Sequence, residues 1–173
     1  VYVYNEKNLC IKEDEYIDGK MKYTTTYSYN EKGQKTERIW SDAVGGNKIL
    51  TEYFKYNDKG SLTEHKCDWA TEDDSLNQQD YTITKAYNAK NQLFVSTRTN
   101  GAGETTSSTM LRYDENGNES EVLTISVDLH TKKTTEEKHT TTYEYDATGN
   151  WIKRTSFTNG VVNSTEERVI TYY

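Results

Sequence analysis

An all-β antiparallel meander of about twelve strands, made from six β-hairpin repeats and coiled into a barrel-like or spiral sheet, is the expected fold. A tyrosine followed at once by Asn or Asp, and three residues later by Gly or Asn, recurs six times, at Tyr4, Tyr29, Tyr56, Tyr87, Tyr113 and Tyr145. Successive anchors lie 25, 27, 31, 26 and 32 residues apart, a period at which one supersecondary unit stacks on the next and none buries its apolar face alone. Upstream of the anchors, residues alternate between apolar and polar with period two, as a strand with one packed and one wetted face requires. One repeat domain over 1–173 follows, with repeats at about 2–26, 27–53, 54–84, 85–110, 111–142 and 143–173.

Each repeat opens on an incoming strand. The residue two before the anchor is Tyr2, Tyr27, Phe54, Lys85, Leu111 or Tyr143, apolar in every case except Lys85. Runs such as Thr24-Thr25-Thr26, Thr82-Ile83-Thr84 and Thr140-Thr141-Thr142 are β-branched, which resists helix and suits a pleated surface. The anchor turn comes next. Its Asx side chain accepts hydrogen bonds from nearby backbone, and the residue three further on reverses the chain with positive φ. Gly33, Gly60, Gly117 and Gly149 do this without steric cost, and Asn8 and Asn91 stand where Gly is missing, Asn being the non-glycine residue that best tolerates the left-handed region.

The outgoing strands have no common phase: Leu62 and Leu93 lie six residues past their anchors, Ile11 seven and Ile39 ten. One-residue bulges would produce this, though the pattern does not locate them. The distal turns are marked by Asp18-Gly19, Gly45-Gly46-Asn47, Asn100-Gly101 and Asn159-Gly160, with longer loops around Glu72 to Asp80 and Asp128 to Lys132. One rim therefore carries six near-identical turns and the other six dissimilar ones. Variable loops on a rigid scaffold are where recognition is expected. Closure into a barrel is the favoured arrangement, because it removes sheet edges that no Pro protects, and the anchor tyrosines are assigned to the better-packed face.

Composition excludes several classes. A net charge of -7 works against phosphate backbones, so nucleic acid is not an expected partner. No apolar run approaches the roughly 20 residues of a membrane-spanning helix, and alternate strand positions are largely Thr, Lys and Glu rather than the aliphatic band of a membrane barrel. The chain opens at Val1, inside its first repeat and without an initiator Met, which predicts a removed leader or a start at an internal boundary. Cys10 and Cys67 occupy non-equivalent repeat positions and are read as ordinary thiols rather than a disulfide ladder.

Chemistry-bearing clusters are sparse. His65, His130 and His139 form no metal-ligand pair and have no nucleophile beside them in a catalytic pattern. The acidic stretch Glu72-Asp73-Asp74 with Asp80 lacks the alternating spacing of a cation loop and is read as solvated. No cofactor, metal or enzymatic activity is expected. Trp40 and Trp69 differ: eleven and thirteen residues past their anchors, in neighbouring repeats, they project to one face of the sheet if no bulge intervenes. Near a rim they either cap the core or offer a stacking platform for sugar or peptide. Trp151, beside an anchor turn, is read as structural.

At the Tyr-Asx-x-x-Gly units, most plainly Tyr143-Glu144-Tyr145-Asp146-Ala147-Thr148-Gly149-Asn150-Trp151 followed by Asn159-Gly160, the chain resembles the YD repeats of Rhs and teneurin-type proteins. It is also similar to small secreted proteins of Bacteroides-type bacteria that carry divergent copies of such repeats. The resemblance implies a β-shell that encloses cargo or serves adhesion, and with six units the encapsulation role is not carried over. The expected function is a secreted, periplasmic or surface binding module, for a glycan or surface polymer, using Trp40, Trp69 and the distal rim. The alternative is a scaffold that presents its repeats to an envelope protein.

Overall fold

The structure, a computed structural model, describes residues 1–70 and 80–172. It is all-β, a single antiparallel meander of 13 strands in chain order. The strands are β1 (Tyr2–Tyr4), β2 (Cys10–Ile17), β3 (Lys20–Tyr29), β4 (Lys35–Asp42), β5 (Lys48–Tyr56), β6 (Leu62–Trp69), β7 (Tyr81–Tyr87), β8 (Leu93–Asn100), β9 (Thr105–Tyr113), β10 (Glu119–Val127), β11 (Thr134–Tyr145), β12 (Trp151–Thr158) and β13 (Val161–Glu167). The strand count exceeds the expected twelve by one because Val161–Glu167 already begins a seventh incoming strand. The favoured barrel does not form: β1 and β13 stand at the two ends of the strand order, each with one neighbour. Two compact units make up the chain, Val1–Lys85 with Arg98–Glu104, and Ala86–Thr97 with Thr105–Tyr173.

All six anchor turns have one hydrogen-bond pattern. The Asx N–H donates to the carbonyl four residues on, and the N–H of the Gly or Asn three residues on donates back to the Asx carbonyl. The Asx side-chain Oδ1 then accepts the N–H of Leu9, Gln34, Ser61, Gln92, Asn118 or Asn150. Positive φ falls where expected, from 58° at Asn8 to 86° at Gly60 and Gly117, so the Asx-to-Gly spacing is a backbone requirement. Of the distal turns, Asp18-Gly19 and Asn159-Gly160 are two-residue turns with positive φ at both positions. The Asn100-Gly101 assignment is corrected. The turn runs from Asn100 to Glu104, Gly103 carries the positive φ, and the bonding repeats that of the anchor turns. The loop predicted around Glu72 lies outside the described residues, apart from Asp80.

The outgoing strands share one irregularity, which accounts for Ile11, while Ile39, paired with Thr26, lies on the face opposite the anchors. In each hairpin whose register is known the ladder shifts beside the anchor: Tyr4 pairs with Cys10, Tyr29 with Lys35, Tyr56 with Leu62, Tyr113 with Glu119 and Tyr145 with Trp151, while the residue before the anchor pairs two further along. The extra residue is Ile11, Thr36, Thr63, Ser120 or Ile152, always seven past the anchor. Beyond this bulge, odd offsets share the anchor's face.

The anchors also tie neighbouring repeats together. Tyr29 donates its hydroxyl to the Cys10 carbonyl (2.7 Å), Tyr56 to Lys35 (2.8 Å) and Tyr113 to Leu93 (2.8 Å), in each case the carbonyl six residues past the preceding anchor. The fifth-to-sixth junction departs from this. Residues eight past one anchor pair with those three before the next at Lys12↔Thr26, Glu37↔Tyr53 and Glu64↔Thr84, but Glu121 pairs with Thr140, five before Tyr145. This slip of two residues preserves the faces. Tyr143 consequently takes the anchor's place on the Glu119 carbonyl (3.1 Å), and Tyr145 reaches on to Asp114 and Asn118. The same register, Lys153↔Glu167, makes Tyr172 a seventh anchor, bonded to Asp146 and Asn150.

Candidate functional site

The first unit's anchor face carries the feature of most chemical interest. Cross-strand pairing runs Glu13↔Thr25, Thr25↔Trp40, Trp40↔Leu50 and Leu50↔Trp69. Directly opposed residues in an antiparallel sheet point to one side, so these five form a single row on the face of Tyr27 and Tyr29. Trp40 and Trp69 therefore share a face, with Leu50 between them and two strand spacings, about 10 Å, separating their backbones. The bulge seven past each anchor does intervene, but it acts equally on both. Both indoles are half-buried, and three of the four most buried residues among those described, Thr25, Leu50 and Cys67, lie on this face.

Trp40 walls a cleft of about 320 Å³ that Glu13, Glu15, Thr25, Arg38 and Leu50 complete. Its floor is the buried pair Thr25 and Leu50. Tyr23 packs against Trp40 with ring centroids 4.9 Å apart and planes tilted by 44°, fixing the indole. Glu15 pairs across the strands with Tyr23, and Tyr23 with Asp42, which sets Glu15 one row nearer the distal turns than Trp40.

The charges around the cleft are unequally engaged. Arg38 Nη1 donates to Glu52 Oε2 (2.8 Å), and Glu52 Oε1 lies 2.8 Å from His65 Nε2. Burial raises the Glu52 pKa, but the bonds from Arg38 and His65 outweigh it and hold the carboxyl below its ordinary value. Glu13 accepts the Tyr27 hydroxyl (3.1 Å). Asp42 serves its own turn, accepting Gly45 N–H (2.7 Å) and the Asn47 amide (3.1 Å). Among the described residues nothing pairs with the Glu15 carboxylate, and nothing accepts from the Trp40 indole N–H.

The other predicted residues lie outside this cleft. Trp69 offers its backbone N–H to Asp80 (2.7 Å) and borders the undescribed segment. Trp151 lies under the Arg168 guanidinium, 3.8 Å from its ring centroid. His65 stacks on Phe54 at 4.8 Å and 8° and meets Tyr81 edge-on. Cys10 and Cys67 are free thiols, and burial pushes the Cys67 thiol up in pKa. No group of three metal-ligating side chains is assembled among the described residues. No described helix is long and apolar enough to cross a membrane.

Sequence reasoning missed two grooves on the rim of near-identical turns. One of about 550 Å³ is lined by Gln34, Phe54, Tyr56 and Asn57 among others, and one of about 280 Å³ by Asn5, Leu9, Tyr29 and Asn30. They lie between successive turns, bridged by Gln34 Nε2 donating to the Gly60 carbonyl (2.9 Å) and Lys7 Nζ to that of Glu31 (3.4 Å). The recurring Gln five residues past Tyr29 and Tyr87 was the available signal, since Gln92 bridges to Gly117 in the same way (3.2 Å).

The fold and cleft define an antiparallel β-hairpin repeat module. No family model matches the sequence, and no curated protein sequence matches it. Among solved structures it is similar to a chain of the Photorhabdus luminescens Tc holotoxin pore, at 12% identity and a TM-score of 0.59, over 89% of this chain and 10% of that one. The chain thus spans about a tenth of that protein's length, and the likeness is one of fold. A porin-like protein from Bacteroides uniformis matches at 16% identity over 95% of this chain and 86% of its own, with a TM-score of 0.36. A protein with unknown function from Bacteroides fragilis matches at 15% identity over 91% of both chains, with a TM-score of 0.28. These two superpose too loosely to carry an argument.

Proposed function

We propose that the chain is a YD-repeat-type, non-enzymatic binding module of the secreted or cell-envelope kind, holding a glycan or surface polymer against Trp40. The observation that carries this reading is the cleft itself. A half-buried indole with an unused N–H, braced by Tyr23, forms one wall, and unused carboxylate oxygens lie beside it. An aromatic face takes the C–H face of a sugar, while acceptors and donors around it take hydroxyls. Trp69, in the same row, supplies a second platform for an extended polymer. The test is titration calorimetry against a panel of soluble polysaccharides, with wild type, Trp40→Ala, Trp69→Ala and the double variant. Trp40→Ala is expected to weaken binding by roughly tenfold or more. A double variant that binds as the wild type does removes the site.

A second reading, a scaffold for another envelope protein, draws on the exposed apolar tips of the first two distal hairpins, Tyr16, Ile17, Met21 and Val44. Polar substitution of Ile17 and Val44 distinguishes the two, since it leaves glycan binding intact and abolishes docking of a protein partner.

A further inference from the structure

We infer that the Trp40 cleft selects a sugar bearing a free ammonium group, a de-N-acetylated hexosamine in an oligosaccharide, over neutral or acidic sugars; this rests on the binding reading above. The cleft is lined by two carboxylates, Glu13 and Glu15, and one cation, Arg38. That cation is already committed: Glu52 neutralises it at 2.8 Å. Glu13 is held by Tyr27, and Asp42, next to the cleft, by its own turn, which leaves Glu15 as the carboxylate with no partner among the described residues. An acidic sugar would meet uncompensated negative charge and be repelled. A neutral sugar would stack on the indole and offer Glu15 only an uncharged hydroxyl donor, a weaker bond than an ammonium's.

An amino sugar satisfies both groups at once. Its ring lies on Trp40, its ammonium donates to Glu15, and the positive charge near the indole face adds a cation–π attraction. Glu15 is itself exposed, so the ion pair is a surface pair whose contribution is modest and screened by salt, and the stacking on Trp40 over the buried Thr25 and Leu50 supplies the rest. Glu13 stays within the same lining as a second acceptor for ring hydroxyls.

The experiment compares three short β-linked oligomers of one length by titration calorimetry: glucosamine, N-acetylglucosamine and glucose. Wild type, Glu15→Gln, Trp40→Ala and Glu115→Gln are used, the last removing a charge from the second unit as a control for the overall net charge of -7. The glucosamine oligomer is expected to bind about fivefold to tenfold tighter than the other two, with the margin narrowing as salt is raised. Glu15→Gln should erase that margin by weakening the glucosamine oligomer far more than the glucose oligomer, Glu115→Gln should keep it, and Trp40→Ala should weaken all three. Equal binding of the three oligomers, or a margin that survives Glu15→Gln, overturns the ammonium selectivity alone. Binding of none of them, by a folded wild-type protein, overturns the selectivity and counts against the glycan reading beneath it.

Discussion

The anchor tyrosine does two jobs through one hydroxyl: it fills the packed face and fastens its repeat to the one before. Tyr29, Tyr56 and Tyr113 each satisfy the carbonyl six past the preceding anchor, which for Tyr29 and Tyr56 lies directly before a bulge in the ladder. A buried or half-buried hydrogen bond of this kind is worth about 1 kcal/mol net. Tyr56→Phe should therefore lower the stability measured by urea unfolding by about that amount. Tyr4 is the contrasting case. It is exposed and has no such partner among the described residues, so Tyr4→Phe should leave the midpoint unchanged. Equal losses at both positions would mean that the hydroxyl bond is not what the anchor contributes. The Asx turn is legible in the sequence at this scale because its requirement is local: an acceptor at one residue and positive φ three later, whatever surrounds it.

At the scale of the element, the turn decides which residues the chain accepts. Gly60 has φ of 86°, and an added Cβ would come within 3.3 Å of the Gln34 amide that bridges to its carbonyl. Gly60→Ala should cost about 1 to 2 kcal/mol from the left-handed backbone alone. Gly60→Asn should cost clearly less, because Asn8 and Asn91 hold the same position at φ of 58° and 63°. Urea midpoints of the two variants check this, and Asn equal to or worse than Ala would contradict it. Strands were less legible than turns. The +7 bulge recurs in every hairpin whose register is known, yet Ile11, Thr36, Thr63, Ser120 and Ile152 share no chemistry that announces it. The two-residue slip between β10 and β11 is invisible for a related reason: an even shift leaves every side chain on its own face, so the alternation reads the same in either register.

Over the molecule as a whole, little apolar surface is deeply buried; Leu50 and Cys67 are the apolar side chains that qualify among the described residues. Ladder bonds, turn caps and cross-strand pairs accordingly carry a large share of the stability, and several of the caps are carboxylates. Asp146 is lowered from 3.8 to about 2, first by the Tyr172 hydroxyl and then by Thr148. Asp42 and Asp128 are lowered chiefly by backbone N–H groups, and Asp14 by Thr24 and Lys12. A depressed folded-state pKa stabilises above the unfolded value and is lost as the group protonates. Stability from these groups should hold above pH 3.8 and fall as the pH drops towards about 2. Tyr172→Phe should make that fall shallower, as read from urea midpoints across the range, and a carboxyl titration placing Asp146 at an ordinary value would refute the assignment. The sequence by itself determined the repeat, its six Asx turns and the all-β meander, since periodicity and positive φ are properties of short segments. Only the tertiary structure decided the open sheet, the slipped register that makes Tyr172 an anchor, and the meeting of Trp40 with Glu13 and Glu15. Those depend on how strands from different repeats align, and alignment is set by pairing between segments, which no single segment encodes.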